Sequence, residues 1–171
     1  MPNGGLVHLS GSVNMRLFNA SIRDFLDDHI PFLTVEVSEE TLRRISHSTM
    51  RVIEQGKTVD DLAKTIGSMF TDMAKTRALT IAQTEIGMAQ TTGEFIAVQS
   101  ISENADLVKI WSNSRDDRVR PSHQIREVRE INERFSNGLL FPLEPGAPAE
   151  EVVNCRCTLL WVPRTEVNQW L

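Results

Sequence analysis

The sequence contains no long hydrophobic run. Its most apolar stretch, Thr158 to Val162, is far too short to cross a bilayer, so no membrane-spanning helix is expected. It also lacks an excess of positive charge: of 171 residues, 18 are Lys or Arg and 23 are Asp or Glu, a formal net charge of −5. Splitting the chain uncovers no basic half. Residues 1–100 hold nine basic residues against twelve acidic ones, and residues 101–171 hold nine against eleven. Non-specific phosphate binding draws on such an excess, so the net charge does not support DNA contact. No basic segment followed by an apolar block opens the chain at Met1-Pro2-Asn3-Gly4-Gly5; a secretory signal is not expected, and folding in a cytoplasm is the default. Cysteine is scarce. The two present, Cys155 and Cys157, are separated by Arg156 alone, and a disulfide across one residue closes a very small, strained ring. That leaves reduced thiols in a core, or a metal or reactive site. No repeat or low-complexity tract is visible.

What is present is ordinary for a folded domain: 40% apolar and 24% charged residues, in a chain long enough for one real core. Residues 1–37 read as a loose lead-in to about residue 19, then a short helix capped by Asn19 or Ser21 and stopped by Pro31, with Thr34 to Val37 as an extended linker. Residues 38–104 read as an amphipathic helical region. Ser38 fits an N-cap, Leu42, Ile45, Thr49 and Val52/Ile53 share a face, and Gly56 sits where a helix stops. Thr58 starts the next helix, whose stripe is Val59, Leu62, Ile66, Met69/Phe70 and Met73. A third runs from about Lys75 to Ser100 with a stripe of mostly small residues: Ala78, Ala82, Ile86, Ala89, Gly93 and Ala97. Tight packing within a helical hairpin is the preferred reading of that stripe; docking to a partner, together with exposed Met69 and Met73, is the other. Residues 105–171 read as a small α+β domain. Leu107 to Trp111 and Thr158 to Val162 are its first and last strands, expected to pair, and Gln124 to Phe135 is expected to be helical. The fold class is therefore α+β, a helical arm followed by a small antiparallel sheet closed by its first and last strands.

The residues able to carry chemistry cluster in the second half, with one piece on the third helix. They are Ile81-Ala82-Gln83-Thr84-Glu85; Trp111 with Ser112-Asn113-Ser114; Asp116-Asp117-Arg118-Val119-Arg120-Pro121-Ser122-His123; Phe141 to Pro148, including Pro142; and Asn154-Cys155-Arg156-Cys157. In this order they resemble the phage Mu F-like head-morphogenesis family. That family shows a helix with an Ala-Arg-Thr-Glu-like run, a strand with Trp, an Asp-x-Arg-x-Arg-x-x-His turn, a Pro-rich loop, and Asn-Cys-Arg-Cys before a final strand. The resemblance covers roughly residues 75–162. It carries Thr84, Glu85, Trp111, Asp116, Arg118, Arg120, His123, Pro142, Asn154, Cys155, Arg156 and Cys157 as its signature. Two departures stand out. Gln83 replaces the family's Arg, and no Gly follows His123. The chain is also shorter than many members, a compact version or a fragment.

The resemblance implies a minor head protein of a tailed phage, made in the host cytoplasm and carried in the virion. Its implied partners are the portal and other head proteins, and its role is in head morphogenesis, DNA packaging or ejection. The alternative is a metal-dependent or Cys/His enzyme or a toxin-associated module. Three readings of the signature follow. His123, Cys155 and Cys157, with Asp116, offer donors that suit Zn²⁺, although Cys-x-Cys departs from the usual ligand spacing. His123 beside either thiol is a nucleophile pair without a recognisable oxyanion arrangement. The preferred reading is structural, with no cofactor and no catalysis: cysteines filling a small core space, Asn154 holding a turn, and Arg156 paired with Asp116, Asp117 or Glu85 in a buried lattice. Convergence of His123, Cys155 and Cys157 in a pocket open to solvent would favour the enzymatic or metal reading, and burial with satisfied hydrogen bonds would favour the lock. Arg115, Arg118 and Arg120 are the one local basic cluster. They are read either as a contact for DNA or a partner, or as neutralised by Asp116 and Asp117. His8, His29 and His47 show no ligand spacing to one another, and Trp170 is frayed or an apolar anchor for a partner.

Overall fold

The computed structural model describes residues 12–28, 39–70, 73–101 and 106–170. Four helices come first: α1 (Ser12–Asp28), α2 (Glu39–Glu54), α3 (Val59–Gly67) and α4 (Lys75–Ile101). Then follow β1 (Leu107–Ser112), β2 (Val128–Arg129), the single turn α5 (Ala149–Val152) and β3 (Thr158–Pro163), with a closing 3₁₀ segment at Arg164–Gln169. The fold is α+β. Its sheet is antiparallel and open, in the order β2-β1-β3, with Trp111 opposite Leu159 and Ser112 opposite Thr158. The first and last strands pair as expected.

Local sequence explains the helix ends. Thr58 caps α3 by accepting from the Asp61 backbone N–H, and the Asp61 carboxylate accepts from the Thr58 backbone N–H in return. Gly56 takes a φ of +60° after α2, the left-handed turn that favours glycine. The structure corrects the sequence reading in three places. α1 begins at Ser12, ahead of both Asn19 and Ser21, so part of the supposed lead-in is helix. α3 ends at Gly67, so Met69, Phe70 and Met73 lie beyond it and pack half-buried on its core. Residues 124–135 form no α-helix; they hold β2 and a chain of turns. Ser38, His8, His29, Pro31 and the Thr34 to Val37 linker lie outside the described residues.

α4 is the spine that joins the arm to the sheet. Its first half packs Ala78, Ile81 and Ala82 against Ile45 and Val52 of α2 and Leu62 and Ile66 of α3. Its middle meets α1, with Ala89 against Ile22 and Leu26. Its last turns press Phe95 and Val98 onto the sheet beside Trp111, Phe141 and Leu159. Each buried Leu, Ile or Phe contributes about 1.5–3 kcal/mol of transfer free energy. The whole small-residue stripe, Ala78 to Ala97, is buried in these contacts. Intramolecular packing thus occupies the face that was a candidate for docking. The opposite face of the sheet, Val108, Ile110 and Val162, is covered by Val167 and Trp170. Trp170 is therefore an anchor within the chain itself, and its carbonyl accepts from Arg126 Nη2 at 2.8 Å.

Candidate functional site

The end of β1, a 3₁₀ turn at Pro121–His123, α5 and the approach to β3 meet at one point. His123 sits there fully buried, its ring edge-on to Trp111 with centroids 5.0 Å apart. The two ring nitrogens face different chemistry. Nε2 is 2.7 Å from Glu151 Oε2, a carboxylate that also accepts from Ser122 Oγ at 3.0 Å. Nδ1 is 3.6 Å from Cys155 Sγ and 3.6 Å from Cys157 Sγ. Asn113 Nδ2 donates to the His123 carbonyl at 3.1 Å and fixes the turn that presents the ring.

The local chain explains why both sulfurs point one way. Asn154 adopts a φ of +57°, a left-handed conformation that Asn tolerates better than most residues. The Cys155 backbone N–H bonds the Val152 carbonyl at 3.0 Å, which turns the chain out of α5. From there it runs extended into β3, so residues two apart share a side. Cys155 and Cys157 face His123, and Arg156 faces away. Arg156 instead makes a bidentate pair with Asp116, both bonds 2.7 Å. Asp116 Oδ1 further accepts the Arg118 backbone N–H at 3.0 Å. Arg120 crosses to the same segment and donates to the Val153 carbonyl. The Asp-x-Arg-x-Arg-x-x-His turn thus clamps the Asn-Cys-Arg-Cys segment at its two ends and at its centre.

Electrostatics follow the geometry. Burial opposes a charge on His123, but the Cys155 sulfur and the Glu151 carboxylate outweigh it and raise the imidazole above its ordinary value. The hydrogen bond with Cys157, helped by His123, holds the Cys155 thiol down at about 5, and the same sulfur contact pushes Cys157 up. The buried indole N–H of Trp111 falls short of a regular hydrogen bond to any group, yet it acts on Cys157 Sγ and favours its thiolate. Guanidinium pairing keeps the Asp116 carboxyl down at about 2. His123, Cys155 and Cys157 present donor atoms within 4.8 Å of one another, the one such group of three found among the described residues. This arrangement supplies either a metal donor set or a Cys–His pair with an orienting carboxylate.

The sequence-selected residues thus divide. Trp111, His123, Asn154, Cys155 and Cys157 converge, with Asp116, Arg120 and Arg156 forming the surrounding clamp. Asp116 is no donor to the cluster, because both its oxygens go to Arg156. The expected buried lattice is not found: the side chain of Arg156 is 40% exposed and that of Asp116 34%. Arg115, Asp117 and Arg118 are exposed, and His47 is an exposed helix residue. Thr84 and Glu85 are buried on α4, Thr84 bonding the Thr80 carbonyl at 2.9 Å, and Gln83 faces solvent. Pro142 is buried, and Leu143 beside it, at φ +61°, presses against Met88 and Val152.

Sequence reasoning missed three residues. Ser122 stood inside the turn motif only as a spacer, and Glu151 carried no motif signal. Lys109 did carry one: period two along β1 places it on the same face as Leu107 and Trp111, inside the core. It is fully buried, donating to the Ile131 carbonyl at 2.8 Å and the Leu140 carbonyl at 2.7 Å, with its ammonium 5.1 Å from the centre of the Phe135 ring.

No helix among the described residues is long and apolar enough to cross a membrane. No curated protein and no solved structure matches the chain. A family model does: residues 43–160 match the one described as Phage Mu protein F like protein. The match begins in α2, upstream of the motifs, and runs through the clamp and the two cysteines into β3. This chain is a member of the Phage Mu protein F-like family, a family of phage head morphogenesis.

Proposed function

We propose that the protein is a minor head protein that associates with the portal vertex and acts in head assembly, DNA packaging or ejection, without catalytic activity. Family membership over residues 43–160 carries this reading. The site agrees with it, because the signature residues are built into the packing of the domain and not arrayed around an open cleft. His123 is 1% exposed, so a substrate has little access to its ring. The exposed arginines Arg115 and Arg118 remain for contact with an acidic face of a neighbouring head protein. The reading is tested by pull-down with portal and scaffold proteins and by imaging procapsids. Density at the portal vertex, lost when the gene is deleted, is expected. Procapsids of normal composition that never incorporate the protein would overturn it.

One observation favours a second reading. Glu151, His123 and Cys155 stand in the order carboxylate, imidazole, thiol, with the Cys155 thiol held down at about 5. A nucleophilic cysteine uses that order. Against it, a second sulfur lies at the same 3.6 Å from Nδ1, which a nucleophile pair does not require. Rapid alkylation of Cys155 by iodoacetamide at pH 6, with Cys157 spared, would favour the nucleophile.

A further inference from the structure

We propose that His123 Nδ1, Cys155 Sγ and Cys157 Sγ bind a single Zn²⁺ ion, with Glu151 holding the imidazole from behind. The first argument is distance. Tetrahedral zinc with bonds of about 2.0–2.1 Å to nitrogen and about 2.3 Å to sulfur sets each N···S separation at about 3.6 Å. Nδ1 stands 3.6 Å from both sulfurs. An N···S hydrogen bond accounts for one such contact; two equal contacts converging on one nitrogen are what a shared ion between the three atoms imposes.

The second argument is the far side of the ring. A metal-bound histidine characteristically gives its other N–H to a carboxylate, which fixes the tautomer and the ring plane. Nε2 meets Glu151 at 2.7 Å, and Ser122 Oγ bonds the same carboxylate. This assigns the proton to Nε2 and leaves Nδ1 with a free lone pair directed at the two sulfurs.

The Cys-x-Cys spacing fits as well. Zinc knuckles use longer spacings because their ligands come from a turn. Here the ligands lie on extended chain leading into β3, where residues two apart share a side and Arg156 is turned outward to Asp116. Two thiolates and one imidazole select zinc over magnesium or calcium. The two thiolates neutralise the ion's two charges, and all three donors bind the metal in their deprotonated form. Three protein donors leave one tetrahedral position for water. Near-complete burial of His123 and Cys157 limits a substrate's access to that position but does not argue against metal. The inference holds whether or not the protein sits at a portal vertex.

The test is metal analysis of the full-length protein purified without chelator, followed by Co²⁺ exchange. One zinc per chain is expected, and the cobalt form should show thiolate charge-transfer and tetrahedral d–d absorption. Cys155→Ser and Cys157→Ser should each abolish stoichiometric binding. Glu151→Gln should keep the fold and weaken zinc affinity about 10- to 100-fold, a change that a purely structural carboxylate would not cause. Wild-type protein that is folded by circular dichroism, holds no zinc and shows no thiolate band with Co²⁺ would overturn the proposal. So would zinc retained by both serine variants. Because the wild-type measurements decide the matter alone, misfolding of a variant does not rescue it.

Discussion

Lys109 Nζ donates to the carbonyl of Leu140 at 2.7 Å and ties the centre of β1 to a loop 31 residues away. With its second bond to Ile131, the lysine holds the start and the middle of the turn-rich stretch between β2 and α5. Lys109→Met fills the space but leaves two buried carbonyls without donors. Each unsatisfied buried group costs about 1–3 kcal/mol. A loss of about 2–4 kcal/mol in urea unfolding is expected, and an unchanged midpoint would refute this role.

The same lysine gives a pH dependence. Burial lowers Lys109 from its ordinary 10.5 to about 8. Between those values the unfolded chain binds more protons than the folded one, so this group makes stability rise with pH across that window. Below about 8 both states are protonated and the contribution is flat. The free-energy gap between wild type and Lys109→Met, followed by urea unfolding from pH 7 to 10.5, should widen as pH rises. A gap that narrows would contradict the assigned shift.

Gly93 sits where α1 crosses α4, and a Cβ there would lie 2.4 Å from Ile22 Cγ1 and 3.4 Å from the Ile22 backbone nitrogen. Helix propensity favours Ala over Gly by about 1 kcal/mol, but overpacking costs about 1–3 kcal/mol. Gly93→Ala should therefore destabilise the arm, and combined with Ile22→Ala, which removes the clashing Cγ1, it should cost less than the sum of the two changes made separately. Measured stabilisation by the single change would show that α1 is not seated as described.

Arg118 and Arg120 are two residues apart and should behave differently. Arg118 is exposed, whereas Arg120 is half-buried with its guanidinium on the Val153 carbonyl. Arg118→Ala should leave thermal unfolding unchanged and weaken portal capture in a pull-down. Arg120→Ala should lower the melting temperature. Equal stability loss in both would show that the cluster acts as one structural unit.

Much of the fold was legible because it rests on local chemistry. The capping box at Thr58, the helix stop at Gly56 and the apolar stripes of α2, α3 and α4 need only neighbours in sequence. The pairing of β1 with β3 was visible as two matched apolar runs. Residues 124–135 misled because Ile125, Val128, Ile131 and Phe135 recur at helical spacing, while Val128 pairs with Ile110 to form β2. At the site, the motif residues pointed to the right place but not to all their partners. Arg156 lies on the face opposite the cysteines, as the spacing predicts, and pairs with Asp116, but the pair is half-exposed and not in a buried lattice. Glu151 lies 28 residues from His123, and no spacing rule links them. Lys109 was concealed by expectation, since a charged residue on a strand is ordinarily placed in solvent.

The central claim is that the His123, Cys155 and Cys157 centre holds the domain together and does not perform chemistry. Thermal unfolding of Cys157→Ser, scored beside its incorporation into procapsids, tests this most directly. The account predicts that the two fall together. A loss of a few kcal/mol corresponds to a melting temperature lower by about 5–10 °C for a chain of this size, with incorporation reduced in proportion. A variant that melts with the wild type but yields defective heads would mean that Cys157 acts on something outside the fold, and would contradict the claim.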